Sequence, residues 1–313
     1  MASLVKDALE IDYASVSSSA NQAIRVVGSL LQNASSMDKE ILNLACARHG
    51  YSHVEFDLES EKSLSTGELL DKVTLVSSAV DLLVTSFGET DTFGVGRQIT
   101  EQLLAHTRAP IVSFMDDIYA PQPALGILAA LWNELGDLSG KNITISWGYG
   151  SRFVSPRTTH SLLLLGITLG ADIMILSPPE FRLLRRVIRE AENAATETHG
   201  SFQETEEFNR SYLNADAVIG LNWCRLDDCT GSEKNKKTAM DYKDWYFTED
   251  TLGSQSLFIG DPPIQADLLA SPSLLQSPRN LTSSWMDMRT RVLLQSFDFL
   301  SKLQSEGKLS ALI

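Results

Sequence analysis

The residues able to do chemistry gather in a few short segments. Gln32–Lys39 sets Ser35 and Ser36 ahead of Lys39 at the junction of an apolar run and a helical one. Backbone N–H groups at such a helix start, helped by a basic side chain, hold phosphate-like anions. Asp38 lies in the same segment. It favours the helix dipole but repels an anion placed there, so on spacing alone a capped helix start is the favoured reading of Ser35 and Ser36. Cys224 and Cys229 bracket Asp227 and Asp228, yet no further ligand stands at metal-binding spacing, and the five histidines are scattered. Neither a metal nor another cofactor is expected. Arg182, Arg185, Arg186 and Arg189 form a basic helix stripe, and for these, as for Arg289 and Arg291 near the C-terminus, a solvated role is expected.

Short apolar runs that alternate with longer segments of helical period must position these residues, which is the pattern of strands and helices in a parallel α/β sheet. Strands are expected at 25–31, 53–56, 82–85, 110–114, 142–147, 172–176, 217–221 and 256–259. Helices are expected at 38–49, from 66 onward, and at 99–106, 123–135, 157–169, 180–199 and 285–303. The polar stretch Asp227–Lys243 reads as an inserted flap or loop. In open parallel sheets ligands collect at the carboxyl ends of strands. That rule selects the loops Gln32–Lys39, Phe87–Thr92, Asp116–Pro123, Gly148–Pro156, Asn222–Cys229 and Gly260–Gln265. The polar break Leu138–Lys141 divides the chain into domains at 1–137 and 138–284, with a terminal helix, 285–313, packing back on the first.

The composition fits this outline. Of 313 residues, 43% are hydrophobic and 21% charged, a globular balance. The 26 basic against 40 acidic residues give a net charge of −14, which argues against a nucleic-acid partner. Apolar runs such as Leu162–Ile167 are far shorter than the roughly 20 residues that span a bilayer. Residues 1–20 carry acidic residues and no basic-then-apolar leader pattern, and the cysteine count is odd, so a cytoplasmic location without membrane attachment is expected.

Several segments together resemble the aspartate/ornithine carbamoyltransferase family. Arg25–Lys39 is similar to the strand that runs into that family's Ser-Thr-Arg-Thr-Arg phosphate loop, with Met37, Asp38 and Lys39 where the family has Arg, Thr and Arg. Ser63–Glu68 looks like the segment that reaches into a neighbouring subunit's site, with Thr66 replacing a Lys. Asp117–Gln122 resembles Asp-Leu-Tyr-His-Pro-x-Gln, with Ala120 in place of the His and Gln122 one position short. Gly260-Asp261-Pro262-Pro263 takes the place of His-Cys-Leu-Pro. Trp147-Gly148-Tyr149 with Arg152 resembles acetylornithine-type members, whereas Arg157–Leu162 resembles the aspartate type, so either Arg152 or Arg157 is the Arg that holds a substrate carboxylate. Asn222-Trp223 is similar to Asp-Thr-Trp, and Trp223 either walls a pocket or fills the core.

The resemblance implies two doubly wound parallel-sheet domains joined by interdomain helices, flanking a cleft, and a homotrimer whose sites lie between subunits. It implies an amino-acid-type substrate held by Ser35, Ser36, Thr66, Gln122, Arg152, Arg157 and Trp223. Asp38, Lys39 and Asp261 are the expected catalytic groups, the carboxylates serving as acid or base. Each missing charge-assisted bond costs about 1.5–3 kcal/mol, so efficient use of carbamoyl phosphate is not expected. The implied activity is carbamoyl transfer, or a related condensation of an amine with an activated carbonyl, in a specialised biosynthetic pathway. A catalytically inactive protein that binds an amino acid or a partner enzyme is the alternative, and an ordinary aspartate or ornithine carbamoyltransferase a minor one.

Overall fold

The computed structural model describes residues 25–32, 34–56, 66–88, 92–209, 212–229, 233–262 and 268–306. They form two compact units, one from Ile127–Asp287 and one from the described parts of Ala2–Gly126 and Met288–Ile313. We call these the continuous and the split unit.

In the split unit the order is β1 (Val26–Leu31), α1 (Ser36–His49), β2 (Ser52–Glu55), α2 (Thr66–Ser77), β3 (Leu82–Phe87), α3 (Val95–His106) and β4 (Ile111–Asp116), then α4 (Pro121–Leu135). All strands run parallel in the spatial order β2-β1-β3-β4. β3 is buried along its whole length, as a strand covered on both faces must be, and Leu30, Val73, Leu83, Phe87, Ile99 and Leu103 form a core around it. α1 starts at a capping box in which Ser35 accepts from the Asp38 N–H while the Asp38 carboxylate accepts from the Ser35 N–H. It ends at Gly50, whose φ of 70° suits a residue without Cβ.

The continuous unit contains β5 (Asn142–Trp147), α5 (Arg157–Thr168), β6 (Asp172–Leu176), α6 (Arg185–Glu197), β7 (Ser201–Thr205), β8 (Ala217–Leu221), α7 (Glu233–Ala239), β9 (Leu257–Gly260) and α8 (Pro272–Gln276). Its strands are again all parallel, in the order β7-β6-β5-β8-β9. Helix α9 (Thr282–Ser305) then returns the chain to the split unit. Both sheets are therefore doubly wound α/β sheets, with order reversing at β1/β3 and at β5/β8.

Four segments depart from the sequence expectation, among them the short helix α8, which was not expected. The strand β7 was not expected, because its SFQET sequence lacks an apolar run; it is an edge strand whose polar residues face water. The segment expected as one helix at 180–199 is a 3-10 turn, Pro179–Phe181, followed by α6, since Phe181 is fully buried and the backbone at Arg182 is extended. The insertion read as a loop or flap carries α7 and a 3-10 turn at Met240–Tyr242. Buried Asn235 pins it, accepting from the Arg225 N–H at 3.0 Å and donating to the Asp228 carbonyl at 2.5 Å. The stripe Arg182, Arg185, Arg186 and Arg189 is exposed, as expected.

Helix α3 starts where the chain is tightest. A Cβ on Gly96 would stand 2.1 Å from the Phe87 carbonyl oxygen, whereas one on Gly67 in the first turn of α2 would meet nothing within 4 Å. Gly96→Ala therefore costs about 1–3 kcal/mol in denaturant unfolding. Gly67→Ala, the matched control, is neutral or stabilises by up to about 1 kcal/mol.

Candidate functional site

The head of α1 lies at the carboxyl end of β1, beside the first switch point. Asp38 is only 5% exposed, and its carboxylate is fully committed. One oxygen accepts from Ser35 Oγ at 2.6 Å and the other from Arg289 Nη2 at 2.6 Å. Arg289, from α9, is itself 3% exposed and donates through Nε to Gln122 Oε1 at 2.8 Å. Gln122 Nε2 donates in turn to the Arg289 carbonyl at 2.9 Å. Burial alone would raise the Asp38 pKa, but the Arg289 charge and the Ser35 hydrogen bonds outweigh it and hold the group below 3.8. Asp38 is thus an ionised member of a closed polar network.

The end of β4 and the loop after it supply a buried pair of carboxylates, Asp116 and Asp117. Asp117 caps α3 from outside the helix, accepting from the N–H groups of Gly94 at 2.5 Å, Gly96 at 3.1 Å and Arg97 at 2.9 Å. Asp116 accepts from Ile118 and Tyr119 N–H groups and from Arg97 Nη1 at 3.2 Å, while the Arg97 guanidinium lies 5.2 Å from the centre of the Tyr119 ring. Burial raises the Asp116 pKa despite these donors.

In the continuous unit the switch point is framed by Gly148-Tyr149 after β5 and Asn222-Trp223 after β8. Asn222 Nδ2 donates to the Gly148 carbonyl at 2.8 Å, and its Oδ1 is buried with no partner among the described residues. Arg152 is exposed and reaches the Pro262 carbonyl at 3.4 Å. Arg157, the first residue of α5, is half-buried and donates to Ser155 Oγ at 3.4 Å. Asp261 follows β9 and is half-buried. A cavity of about 320 Å³ opens at the opposite, amino ends of β5, β6 and β7, lined by Asn142, Thr144, Asp172, Gln203, Tyr212 and Asn214.

The expected site residues thus fall in different places. Ser35, Asp38 and Gln122 do come together, but through Arg289. Ser36 is exposed in the first turn of α1, and Lys39 turns to Glu55 on the surface at 2.5 Å. The side chain of Thr66 and residues 63–65 lie outside the described residues. Trp223 does not wall a pocket: it is 1% exposed, its indole N–H donates to the Phe181 carbonyl at 2.6 Å, and its carbonyl accepts from Trp147. Aromatic packing of Trp147 on Phe181, Tyr242 and Trp245 extends that core.

The solvated role expected for Arg289 is also overturned by its burial. The signal lay in the helix pattern, because Arg289 is four residues from both Trp285 and Leu293, on the buried stripe of α9. A charge at such a position requires a buried partner.

The described residues thus form two doubly wound α/β units. Residues 141–290 match the family "Aspartate/ornithine carbamoyltransferase, Asp/Orn binding domain". The chain is 24% identical over 248 residues to N-acetylornithine carbamoyltransferase of Xanthomonas axonopodis pv. citri (strain 306), which covers 76% of this chain and 72% of that protein. It is 24% identical over 253 residues to ornithine carbamoyltransferase of Ignicoccus hospitalis, covering 80% of this chain and 77% of the other. The crystal structure of acetylornithine transcarbamylase complexed with acetylcitrulline superposes with a TM-score of 0.85 at 18% identity, over 96% of this chain and 95% of that one. Just under half of the chain, residues 141–290, is thus similar to the amino-acid-binding domain of the aspartate/ornithine carbamoyltransferases, and its fold is theirs.

Truncating one partner of a buried ion pair strands the other, so Arg289→Met costs about 3–5 kcal/mol in denaturant unfolding. Because the Asp38 pKa is lowered in the folded state, its stabilisation is present above 3.8 and is lost as pH falls through the folded value. Unfolding followed from about pH 6 to about pH 3 shows a steeper acid limb for the native protein than for Asp38→Asn.

Proposed function

We propose that this protein is a divergent transferase of the carbamoyltransferase kind that joins the amine of an amino-acid-type substrate to an activated carbonyl, the new C–N bond replacing the bond from the carbonyl carbon to its leaving group. The reaction is carbamoyl transfer or a related condensation in a specialised biosynthetic pathway. The observation that carries this reading is the family match over 141–290, a domain type defined by aspartate or ornithine binding, together with an exposed Arg152 in the loop after β5.

In this reading Arg152 holds the substrate carboxylate, the task for which a planar two-pronged donor is suited. Arg157 is the weaker choice, since it is half-buried beside Ser155. Asp261, half-buried at the end of β9, takes the proton from the attacking amine, which must be neutral to act as a nucleophile. Ser36 is left to face the donor. Asp38 and Gln122 shape the head of α1 through Arg289 and take no part in bond making. Lys39, committed to Glu55, takes none either.

One observation favours a second reading, an inactive protein that binds an amino acid or a partner enzyme. The Ser35 hydroxyl donates to the Asp38 carboxylate, which also accepts from Arg289, so neither group is directed at a donor.

Thermal-shift titration of the purified protein with a panel of amino acids, followed by a chromatographic search for a ureido or acylated product, separates the readings. The expected result is stabilisation by one amino-acid class, at least about tenfold weaker in Arg152→Ala and little changed in Arg157→Ala. Binding without turnover of any carbamoyl or acyl donor gives the second reading, and no amino-acid binding by folded protein ends the first and leaves the second with a partner enzyme alone. The same proposal includes a cytoplasmic homotrimer in which the segment at Thr66-Gly67-Glu68 serves a neighbouring subunit; light scattering reads the assembly.

A further inference from the structure

We propose that the cavity at the amino ends of β5, β6 and β7 is a second ligand site, which takes a small organic cation, an alkylammonium or guanidinium, on the Asp172 carboxylate.

The cavity follows from the way the sheet is wound. Strands β5, β6 and β7 step toward one edge, and right-handed crossovers then put α5 and α6 on the same face, where they pack on each other and on β6 and β7. Side chains alternate along a strand, so Ile143 and its neighbour Ile173 turn to that covered face. A Cβ on Gly166 of α5 would stand 2.8 Å from Ile173 Cδ1. The alternate side chains turn to the opposite face, and the register sets them in two rows. Asn142, Asp172 and Ser201 form one row, and Thr144, Met174 and Gln203 the next. Tyr212 and Asn214, from the β7–β8 connection, make the side wall, fixed where Thr144 Oγ1 donates to the Tyr212 carbonyl at 2.6 Å. At about 320 Å³ the space is of small-ligand size, since such pockets run from about 300 to about 1,000 Å³.

Unspent polar groups decide what the cavity accepts. Asp172 is half-buried, and its Oδ1 accepts from Ser201 Oγ at 2.6 Å, while its Oδ2 has no donor among the described residues. The side-chain amides of Asn142, Gln203 and Asn214 make no hydrogen bond to described residues either, and each offers a carbonyl oxygen. Asp172 is the one charged side chain among the described lining residues. A second carboxylate stands behind the first row, where the Asn142 N–H donates to Asp216 Oδ2 at 2.8 Å. A half-buried carboxylate is best served by a positive partner with several N–H donors, and the same charge repels phosphates and carboxylates. The half-buried Met174 thioether gives an alkyl stem an apolar floor between Thr144 and Gln203. A net charge of −14 draws cations toward the protein as a whole. The site shares no residue with the loop after β5 that carries Arg152, so the two stand or fall separately.

The test is calorimetric titration of the full chain with 4-aminobutan-1-ol and with agmatine, neither of which has a carboxylate for Arg152 to hold. Butane-1,4-diol, glucose and inorganic phosphate are the comparison ligands. The native protein is set beside Asp172→Asn, Gln203→Lys and Arg152→Ala. Gln203 is exposed, so the lysine is tolerated by the fold and brings a tethered ammonium to the cavity.

Both cations are expected to bind the native protein, more weakly as ionic strength rises. Their affinity should fall at least about tenfold in Asp172→Asn and in Gln203→Lys and stay unchanged in Arg152→Ala. The diol, glucose and phosphate should not bind. Absence of cation binding by the folded native protein overturns the proposal. Equal binding of the diol or glucose does so too, by making the cavity a polyol site, as does cation binding that survives Gln203→Lys, which decides the matter if Asp172→Asn does not fold. Cation binding lost in Arg152→Ala alone places the amine in the loop after β5 and overturns it as well. Amino-acid binding that fails only in Arg152→Ala bears on the transferase reading and leaves this one untouched.

Discussion

The ion pair between Arg289 and Asp38 joins residues 251 positions apart in the chain, and the rest of the split unit is arranged to make it tolerable. Removing two charges from water is costly, and only a network that satisfies the remaining donors and acceptors offsets it. Gln122 supplies that completion, holding the Arg289 side chain with one end of its amide and the Arg289 backbone with the other. Ser35 completes the opposite end by capping α1 through the same carboxylate. Three segments, the β1–α1 loop, the start of α4 and the middle of α9, are thereby held in one register. The fit between them is specified by direction-dependent bonds, where apolar contact alone would permit sliding.

The continuous unit is stabilised differently. Its switch point is backed by an aromatic core in which Trp147, Phe181 and Trp223 are fully buried and each indole N–H finds a backbone carbonyl. Rigid backing of this kind leaves the loop after β5 free to carry an exposed Arg152, consistent with binding groups sitting on loops above a fixed scaffold. The insertion adds to the same backing, because Tyr242 packs edge-on against Trp147 and hydrogen-bonds Glu180 at 2.6 Å. Its charges are largely self-neutralised, with Asp227 bonded by both Arg225 and Lys234. That pairing lowers the Asp227 pKa.

Much of this architecture was legible in the sequence because parallel strands buried on both faces are written as short apolar runs. Strands such as Ala217–Leu221 and the helical stretches between them could be read in order, and the cap at Ser35 had its own signature. β7 was illegible for the complementary reason, since an edge strand in water needs no apolar run and SFQET resembles a loop. The helix in the insertion was hidden because its buried side is only Asn235 and Ala239, too short a stripe to read as a period. The site was less legible than the fold. Asp38 and Gln122 were recognisable as polar residues at strand ends, but their common partner lies far away in sequence, and no local pattern reports a bond of that span. Trp223 could be placed in a core or a pocket from its type alone, and only the partner of its indole N–H separates the two.

The division of the split unit between the two ends of the chain has a consequence for the order in which the protein is built. Residues 127–287 are synthesised after Asp38 and Gln122 and before Arg289. At a rate of about 5–20 residues per second, roughly 10–30 s separate the emergence of Gln122 from that of its partner. During that interval the β2-β1-β3-β4 sheet has its apolar runs but no counter-charge for Asp38, whereas every strand of the continuous unit is completed as it emerges. The middle of the chain is therefore the first part able to reach its final form, and the N-terminal part closes last, when the C-terminal helix delivers the guanidinium.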